Sequence, residues 1–324
     1  MKKEFEVVSH SQLRDLNVLL VHLAERAVHL HRELEIGLIL EGEVELQAKN
    51  DARRLAAGEI YLVNPMEPHE FVSKDGALIL AVQLSPQLGE QFYPEAVNMR
   101  FSGESALGCF YAGKPRHYRL LRGLCLELAQ AFLSREENYE FKCFALAALL
   151  LRQLTVHVPW TVLSTEDSRS ARQRAERIFA VTDYVQRNFT RKLLLGEIAE
   201  REKLSLSYLS HFFKDTMGVT FQDYLNSTRF EYACGLLEKT DRSILDISVS
   251  SGFSDVRYFS NMFRKHFGCS PSSYRAESHS RSRRIAPISS SSQYIYPAEE
   301  ALELLSPFRE ALMKEDGDIL LFLL

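Results

Sequence analysis

One pattern is written twice between Ile198 and Arg275. The first copy runs Tyr208, Ser210, Phe213, Lys214, Gly218, Tyr224, and the second runs Tyr258, Ser260, Phe263, Arg264, Gly268, Tyr274, every pair offset by 50. Upstream, Ile198-Ala199 matches Ile247-Ser248 at an offset of 49. A repeat of this length marks a duplicated supersecondary unit, and two copies are too few for a solenoid. The unit must therefore work as a pair.

Each copy reads as helix, turn, helix. In the first, Leu195–Glu200 forms a short helix and Lys203-Leu204-Ser205 a turn. Ser205 or Ser207 caps the next helix by accepting from a free backbone N–H. That helix stops near Gly218, a C-terminal glycine signal. Leu209, Phe212 and Phe213 share a face at i, i+3, i+4. The second copy repeats this, with a short helix from Asp246, a turn at Gly252-Phe253-Ser254, and a longer helix from Asp255 to Phe267. Between the copies, Phe221, Tyr224, Leu225, Thr228, Tyr232, Leu236 and Lys239 recur at helical steps. A helix of about 20 residues spans roughly 30 Å, near the roughly 34 Å of one DNA turn. Periodicity alone equally allows a plain helical bundle built from a duplicated hairpin.

Particular residues favour the first alternative. Ile244, Ile247, Gly252-Phe253, Asp255, Tyr258-Phe259-Ser260, Phe263-Arg264-Lys265, Gly268, Ser270-Pro271 and Tyr274-Arg275 follow one motif, joined by Arg229, Ala233, Leu236-Leu237 and Ser243-Ile244 upstream. This segment resembles the DNA-binding domain of the AraC/XylS family of transcriptional regulators. Two positions depart from the pattern: Ser248 replaces the usual alanine, and Asn261 a frequent arginine. The resemblance implies double-stranded DNA as partner. It places Ser207, Tyr208, Ser210, His211, Lys214, Val256, Arg257, Ser260, Asn261, Arg264 and Lys265 at the nucleic acid, and makes RNA polymerase and a second copy of the chain expected partners.

Charge is distributed to match. Residues 172–284 hold 19 Lys and Arg against 13 Asp and Glu, a net +6, whereas the remainder holds 20 against 30, a net −10. A basic half attracts phosphate while an acidic half stays off the duplex. The five cysteines are scattered without metal-type spacing, as in a reducing compartment. The start lacks an apolar leader core, and the longest apolar run, Phe144–Leu151, is too short to span a bilayer. A cytoplasmic protein with no membrane partner is expected.

Residues 1 to about 112 read as short strands: Leu16–Leu23, Leu34–Gln47, Gly58–Val63 and Ala77–Leu84, with turns at Glu41-Gly42-Glu43, Lys49-Asn50-Asp51, Asn64-Pro65 and Lys74-Asp75-Gly76. Such punctuation predicts a β-barrel or jelly roll. His29, His31 and Glu35 project to one side if the strand is extended, and His69 after Pro65 joins them from a second strand. The spacing, with Gly42 following, resembles the cupin motifs, although Glu67 stands where a glycine is common. Three readings stay open: a pocket for a small polar effector such as a sugar, a divalent transition-metal site, or ordinary hydrogen-bonded strand residues. No resident cofactor is otherwise expected. A metal-dependent cupin enzyme with a helical partner domain is the alternative to a regulator, here expected to be an activator and not an enzyme.

From 113 to 160 the period turns helical. Leu121, Leu124, Cys125, Leu128 and Phe132 make one stripe. Phe141–Val156 is apolar almost all round, which predicts burial on several sides and a dimerisation role. Residues 161–171 are expected to be a linker, 172–276 the double helix-turn-helix domain, and 277–324 a flexible Ser/Arg-rich stretch followed by a helix over 297–314 and an apolar strand. The expected class is thus α+β: a cupin-like barrel with dimerisation-type helices, then an all-α domain.

Overall fold

The computed structural model describes residues 13, 15–48, 51–90, 92–102, 105–267, 269–281 and 293–315. It divides into two compact units. One holds the described residues up to Ala24, Leu30–Arg169 and those from Ile295; the other holds Glu25–His29 and Ser170–Tyr294.

The first unit is built on β1 (Leu16–His29), β2 (Leu34–Glu41), β3 (Glu43–Ala48), β4 (Asp51–Ala56), β5 (Ile60–Val63) and β6 (His69–Leu84). Together with β9 (Gln293–Ile295) they form one seven-stranded sheet, ordered β4-β3-β6-β1-β9, with β2 pairing both β5 and β6. The pleat explains how one sheet feeds two cores. On β2, Leu34, Ile36, Leu38 and Leu40 enter one cluster and Ile39 the other; on β6, Leu78, Leu80, Val82 and Leu84 oppose Ala77 and Ile79. β3 alternates strictly, with Val44, Leu46 and Ala48 buried and Glu43, Glu45 and Gln47 exposed. The sequence reading missed β4. Its Arg53-Arg54 core carries no apolar run, and it becomes a strand because β3 pairs with it from Glu43–Ala56 to Ala48–Asp51.

Helices cover one face of that sheet. α1 (Pro115–Ser134) and α2 (Tyr139–His157) join the Leu34–Leu84 cluster, α1 through the predicted stripe from Leu121 to Phe132. α2 is not buried on all sides: Phe141 is 79% exposed and Val156 58%. A short ribbon pairs β7 (Met99–Phe101) with β8 (Trp160–Val162). The division between the two units, after Arg169, falls inside the expected linker at 161–171, and α3 (Thr165–Asn188) begins within that segment. Ser164 caps that helix, accepting from the Asp167 N–H at 3.0 Å, so the polar composition marks a helix start rather than a loop.

α10 (Ala298–Glu315) also packs on this unit, with Ala301, Leu305 and Leu312 buried in the same cluster as α1. Glu127 of α1 is fully buried and accepts from Arg309 Nε at 2.9 Å and Nη2 at 2.7 Å. The expected terminal strand lies outside the described residues, as does most of the Ser/Arg-rich stretch.

The second unit continues with α4 (Leu195–Arg201), α5 (Leu206–Met217), α6 (Phe221–Lys239), α7 (Ile244–Ser250), α8 (Val256–Phe267) and α9 (Pro271–Arg281). Ile178, Val181, Val185 and Phe189 of α3 are buried, as the periodicity predicts. No helix among the described residues is long and apolar enough to cross a membrane.

Candidate functional site

The duplication survives in the packing, atom by atom. Phe213 meets Tyr224 edge-on with ring centroids 5.5 Å apart, and Phe263 meets Tyr274 at 5.1 Å. Ser205 caps α5 through the Tyr208 N–H at 3.1 Å, and Asp255, fifty residues on, caps α8 through the Arg257 N–H at 2.6 Å. Thr220 caps α6 and Ser270 caps α9 in the same way. Tyr208 Oη accepts from Arg177 of α3 at 2.7 Å, and Tyr258 Oη accepts from Asn226 of α6 at 2.9 Å. The true repeat is therefore three helices long: α3–α4–α5, then α6–α7–α8. Sequence comparison of the two turns alone did not reach back to α3.

Burial separates the faces of the second helix in each motif. Leu209, Phe212 and Phe213 are buried on α5, as are Phe259 and Phe263 on α8. Ser207, Tyr208, Ser210, His211 and Lys214 are exposed, as are Arg257, Asn261, Arg264 and Lys265; Val256 and Ser260 are half-buried. His211 Nδ1 lies 2.7 Å from the Ser207 carbonyl. A carbonyl only accepts, so Nδ1 carries the proton and Nε2 is the outward lone pair of the neutral ring. Lys214, Arg257, Arg264 and Lys265 form no ion pair with any described residue. These cations keep their full charge for a polyanion.

Arg229 joins the two copies. It is only 9% exposed, and its guanidinium donates from Nε to the Phe189 carbonyl at 2.7 Å and from Nη2 to the Arg191 carbonyl at 2.8 Å. It thereby satisfies carbonyls that the end of α3 leaves without helical partners. Gly252, at the turn of the second motif, abuts the same Phe189 carbonyl and Arg229 Nε. Neither role is visible in the spacing.

Ser248 sits on the buried face of α7, 1% exposed, and its Oγ has no hydrogen-bond partner among the described residues. An unsatisfied buried hydroxyl costs about 1–3 kcal/mol. Ser248→Ala is expected to stabilise the domain by about 1 kcal/mol, read as a higher denaturant midpoint at unchanged slope. A lower midpoint would show that the hydroxyl is satisfied by a water.

In the first unit, three of the four expected residues meet. His31, Glu35 and His69 are buried and offer ligand atoms within 4.8 Å of one another. His29 is corrected out of the group: it is the last, half-buried residue of β1, and His31 lies in the connection before β2. Strand alternation does not carry across that break. His31 Nδ1 is 3.1 Å from the Glu33 carbonyl and His69 Nδ1 is 2.9 Å from the Glu67 carbonyl. Both rings are thus held with Nδ1 as donor, which makes Nε2 the lone-pair nitrogen. His31 Nε2 lies 3.0 Å from Glu35 Oε2. A lone pair and a carboxylate repel at that distance, so a cation belongs between them, a proton or a metal ion.

Glu35 is otherwise fully engaged. Tyr61 donates to it at 2.8 Å and Gln83 at 2.9 Å. Tyr61 reaches it because Gly37 has no side chain; a Cβ there would overlap the tyrosine ring. Burial alone pushes the Glu35 carboxyl up, but the hydrogen bond and charge of His31, with His69 and Gln83, hold it far below the usual carboxylate range. The three donors fit a divalent transition metal by type, closeness and carbonyl-oriented imidazoles.

Two family models match the chain: an AraC-like ligand binding domain over residues 22–154 and a helix-turn-helix domain over 198–277. An uncharacterized HTH-type transcriptional regulator of Staphylococcus aureus (strain MSSA476) is 26% identical over 277 residues, covering 86% of this chain; the chain spans 35% of that protein. The HTH-type transcriptional regulator YijO of Escherichia coli (strain K12) is 37% identical over 109 residues, covering 33% of this chain and 38% of YijO. Among solved structures, ToxT from Vibrio cholerae aligns over 81% of this chain and 97% of its own at 17% identity, with a TM-score of 0.44.

Proposed function

This chain belongs to the AraC/XylS family of transcriptional regulators, and from that premise we propose that it binds double-stranded DNA sequence-specifically and regulates transcription, as an activator. The observation that carries this reading is the repeated exposed face of α5 and α8, whose Lys214, Arg257, Arg264 and Lys265 form no ion pair with any described residue. The two helices enter successive major grooves. Lys214, Arg264 and Lys265 meet phosphates, and affinity falls with salt. Arg257 reads guanine through a bidentate pair, while Ser207, Ser210, His211, Val256, Ser260 and Asn261 contact other base edges. Tyr208 and Tyr258, tied to the preceding helices, set the tilt of the reading helices.

Arg257→Ala is expected to weaken binding to an operator, recovered by selection from random duplexes, by about 1–3 kcal/mol. Binding to unrelated duplex is expected to change by less than about threefold at the same salt. Anisotropy titrations on both duplexes measure this. Equal losses on the two would remove the base-reading role.

The N-terminal unit senses a small molecule and biases the protein between DNA-binding arrangements by its differential affinity for them. The polar group of His31, Glu35 and His69 supports a polar effector such as a sugar. The cation argument favours a divalent metal held by the same three residues, which would give an effector hydroxyl a coordination point. Metal analysis of the purified chain, with Glu35→Gln as control, separates the two. The exposed Phe141 and Val156 on α2 support a homodimer through that helix, and RNA polymerase is the partner an activator would recruit. The relatives' names and the family describe regulators, which sets the cupin-enzyme alternative aside.

A further inference from the structure

The N-terminal unit has a cavity whose chemistry is opposite to that of the histidine group. It measures about 700 Å³ and is bounded by the ends of β2 and β6, the single-turn segments Pro86–Gly89 and Pro94–Asn98, and α2. That volume falls in the range of roughly 300–1,000 Å³ typical of small-molecule sites. Leu34, Leu84 and Phe101 are its most buried walls. Phe92 and Phe144, with rings 5.9 Å apart, stand at the solvent side, and Phe92 is 75% exposed. Apolar surface of this size left in water is unfavourable unless something covers it.

One side chain breaks the apolar lining. Arg152 of α2 is the sole charged residue around the cavity, and its guanidinium has no hydrogen-bond or ion-pair partner among the described residues. No carboxylate lines the cavity to neutralise it. Three other polar groups of the lining are committed within the protein: Ser85 Oγ bonds Gln87, Thr155 Oγ1 donates to the Arg152 carbonyl at 3.1 Å, and Trp160 Nε1 donates to the Thr155 carbonyl at 3.0 Å, which leaves the Tyr93 hydroxyl beside Arg152. A sugar, which needs many partners for its hydroxyls, finds few here. An apolar body with one anionic end finds both of its requirements.

We propose that this cavity binds an amphipathic carboxylate, its acyl or aryl body among Leu34, Leu84, Leu88 and the rings of Phe92 and Phe144, its carboxylate paired with Arg152. The pairing has the planar, bidentate geometry that guanidinium and carboxylate share. None of His31, Glu35 and His69 lines this cavity. Its regulatory meaning rests on the sensing role proposed above; the binding itself does not, and is measured without DNA.

The test uses the full chain and three probes of equal chain length below their micelle concentrations: decanoate, decanol and decylamine. Calorimetry is expected to find one saturable decanoate site per chain, with decanol roughly tenfold weaker and decylamine weaker still. Arg152→Met is expected to abolish the preference for decanoate over decanol while leaving the thermal midpoint of the free chain unchanged. Ala148→Trp, at an exposed position of α2 that lines the cavity, is expected to block all three probes. Glu35→Gln is expected to change none of these results. Equal affinity for the three head groups, multiple non-saturable binding, or binding that survives Ala148→Trp would overturn the proposal. So would loss of decanoate binding in Glu35→Gln, which would move the ligand to the histidine group. If Ala148→Trp instead dissociates a dimer while no probe binds the native chain, the cavity is covered by a second copy and the proposal fails. A failure of DNA binding in the Arg257→Ala experiment leaves these outcomes untouched, so the two readings are judged separately.

Discussion

Replacing Arg309 by alanine is expected to destabilise the N-terminal unit by about 3–5 kcal/mol. The reason is the partner left behind. Glu127 is fully buried on α1; its Oε1 accepts two bonds from the Arg309 guanidinium, and Lys142 stands 3.8 Å from Oε2. Removing the arginine strands a carboxylate where its ionised form is poorly solvated. The double replacement Glu127→Leu with Arg309→Met should restore most of the loss, because a buried pair exchanged for apolar groups of similar volume is often neutral. Denaturant unfolding of the native chain, the single variant and the double variant measures both changes. A single-mutant loss below about 1 kcal/mol would mean that solvent reaches Glu127 and that α10 is not anchored there.

Gly252→Ala is the second large effect. Gly252 has φ of +84°, and a Cβ at that position would lie 2.4 Å from the Phe189 carbonyl and 2.9 Å from Arg229 Nε. The left-handed conformation costs an L-residue roughly 1–2 kcal/mol. The clash adds to it, since the obstructing atoms are backbone and a guanidinium already bonded to it. A total of about 3 kcal/mol or more is expected, with loss of DNA binding at physiological temperature. Gly218→Ala is the matched control: its φ is +75°, but nothing lies within 4 Å. It should lose only the conformational share, about 1 kcal/mol. Equal losses for the two glycines would show that the contact with the end of α3 contributes nothing.

The C-terminal fold was largely legible because helix signals are local. The cap at Ser205, the glycine stop at Gly218, and the 3.6-residue apolar stripes each need only a few neighbouring residues. They were read correctly, although choosing Ser205 over Ser207 as cap required the Tyr208 N–H distance. Strands were read less well for the opposite reason. β4 is a strand because β3 lies beside it, and its own residues carry little apolar pattern. That much of the segment at the division between the units is helical is not legible in its composition, because polar residues serve helix starts as well as loops; the Ser164 cap makes the difference.

The sites divide along the same line. Exposure of Ser210, His211, Arg257 and Asn261 follows from which stripe is apolar, so the sequence determines which residues face outward from α5 and α8. It also determines the histidine–glutamate composition of the group in the N-terminal unit. Tertiary structure alone decided that His29 stands outside that group, that Arg229 and Gly252 lock the second turn to α3, and that Arg152 stands at an apolar cavity. Each of those facts joins segments distant in the chain, and no local pattern of residue types records which carbonyl, ring or lone pair will lie opposite.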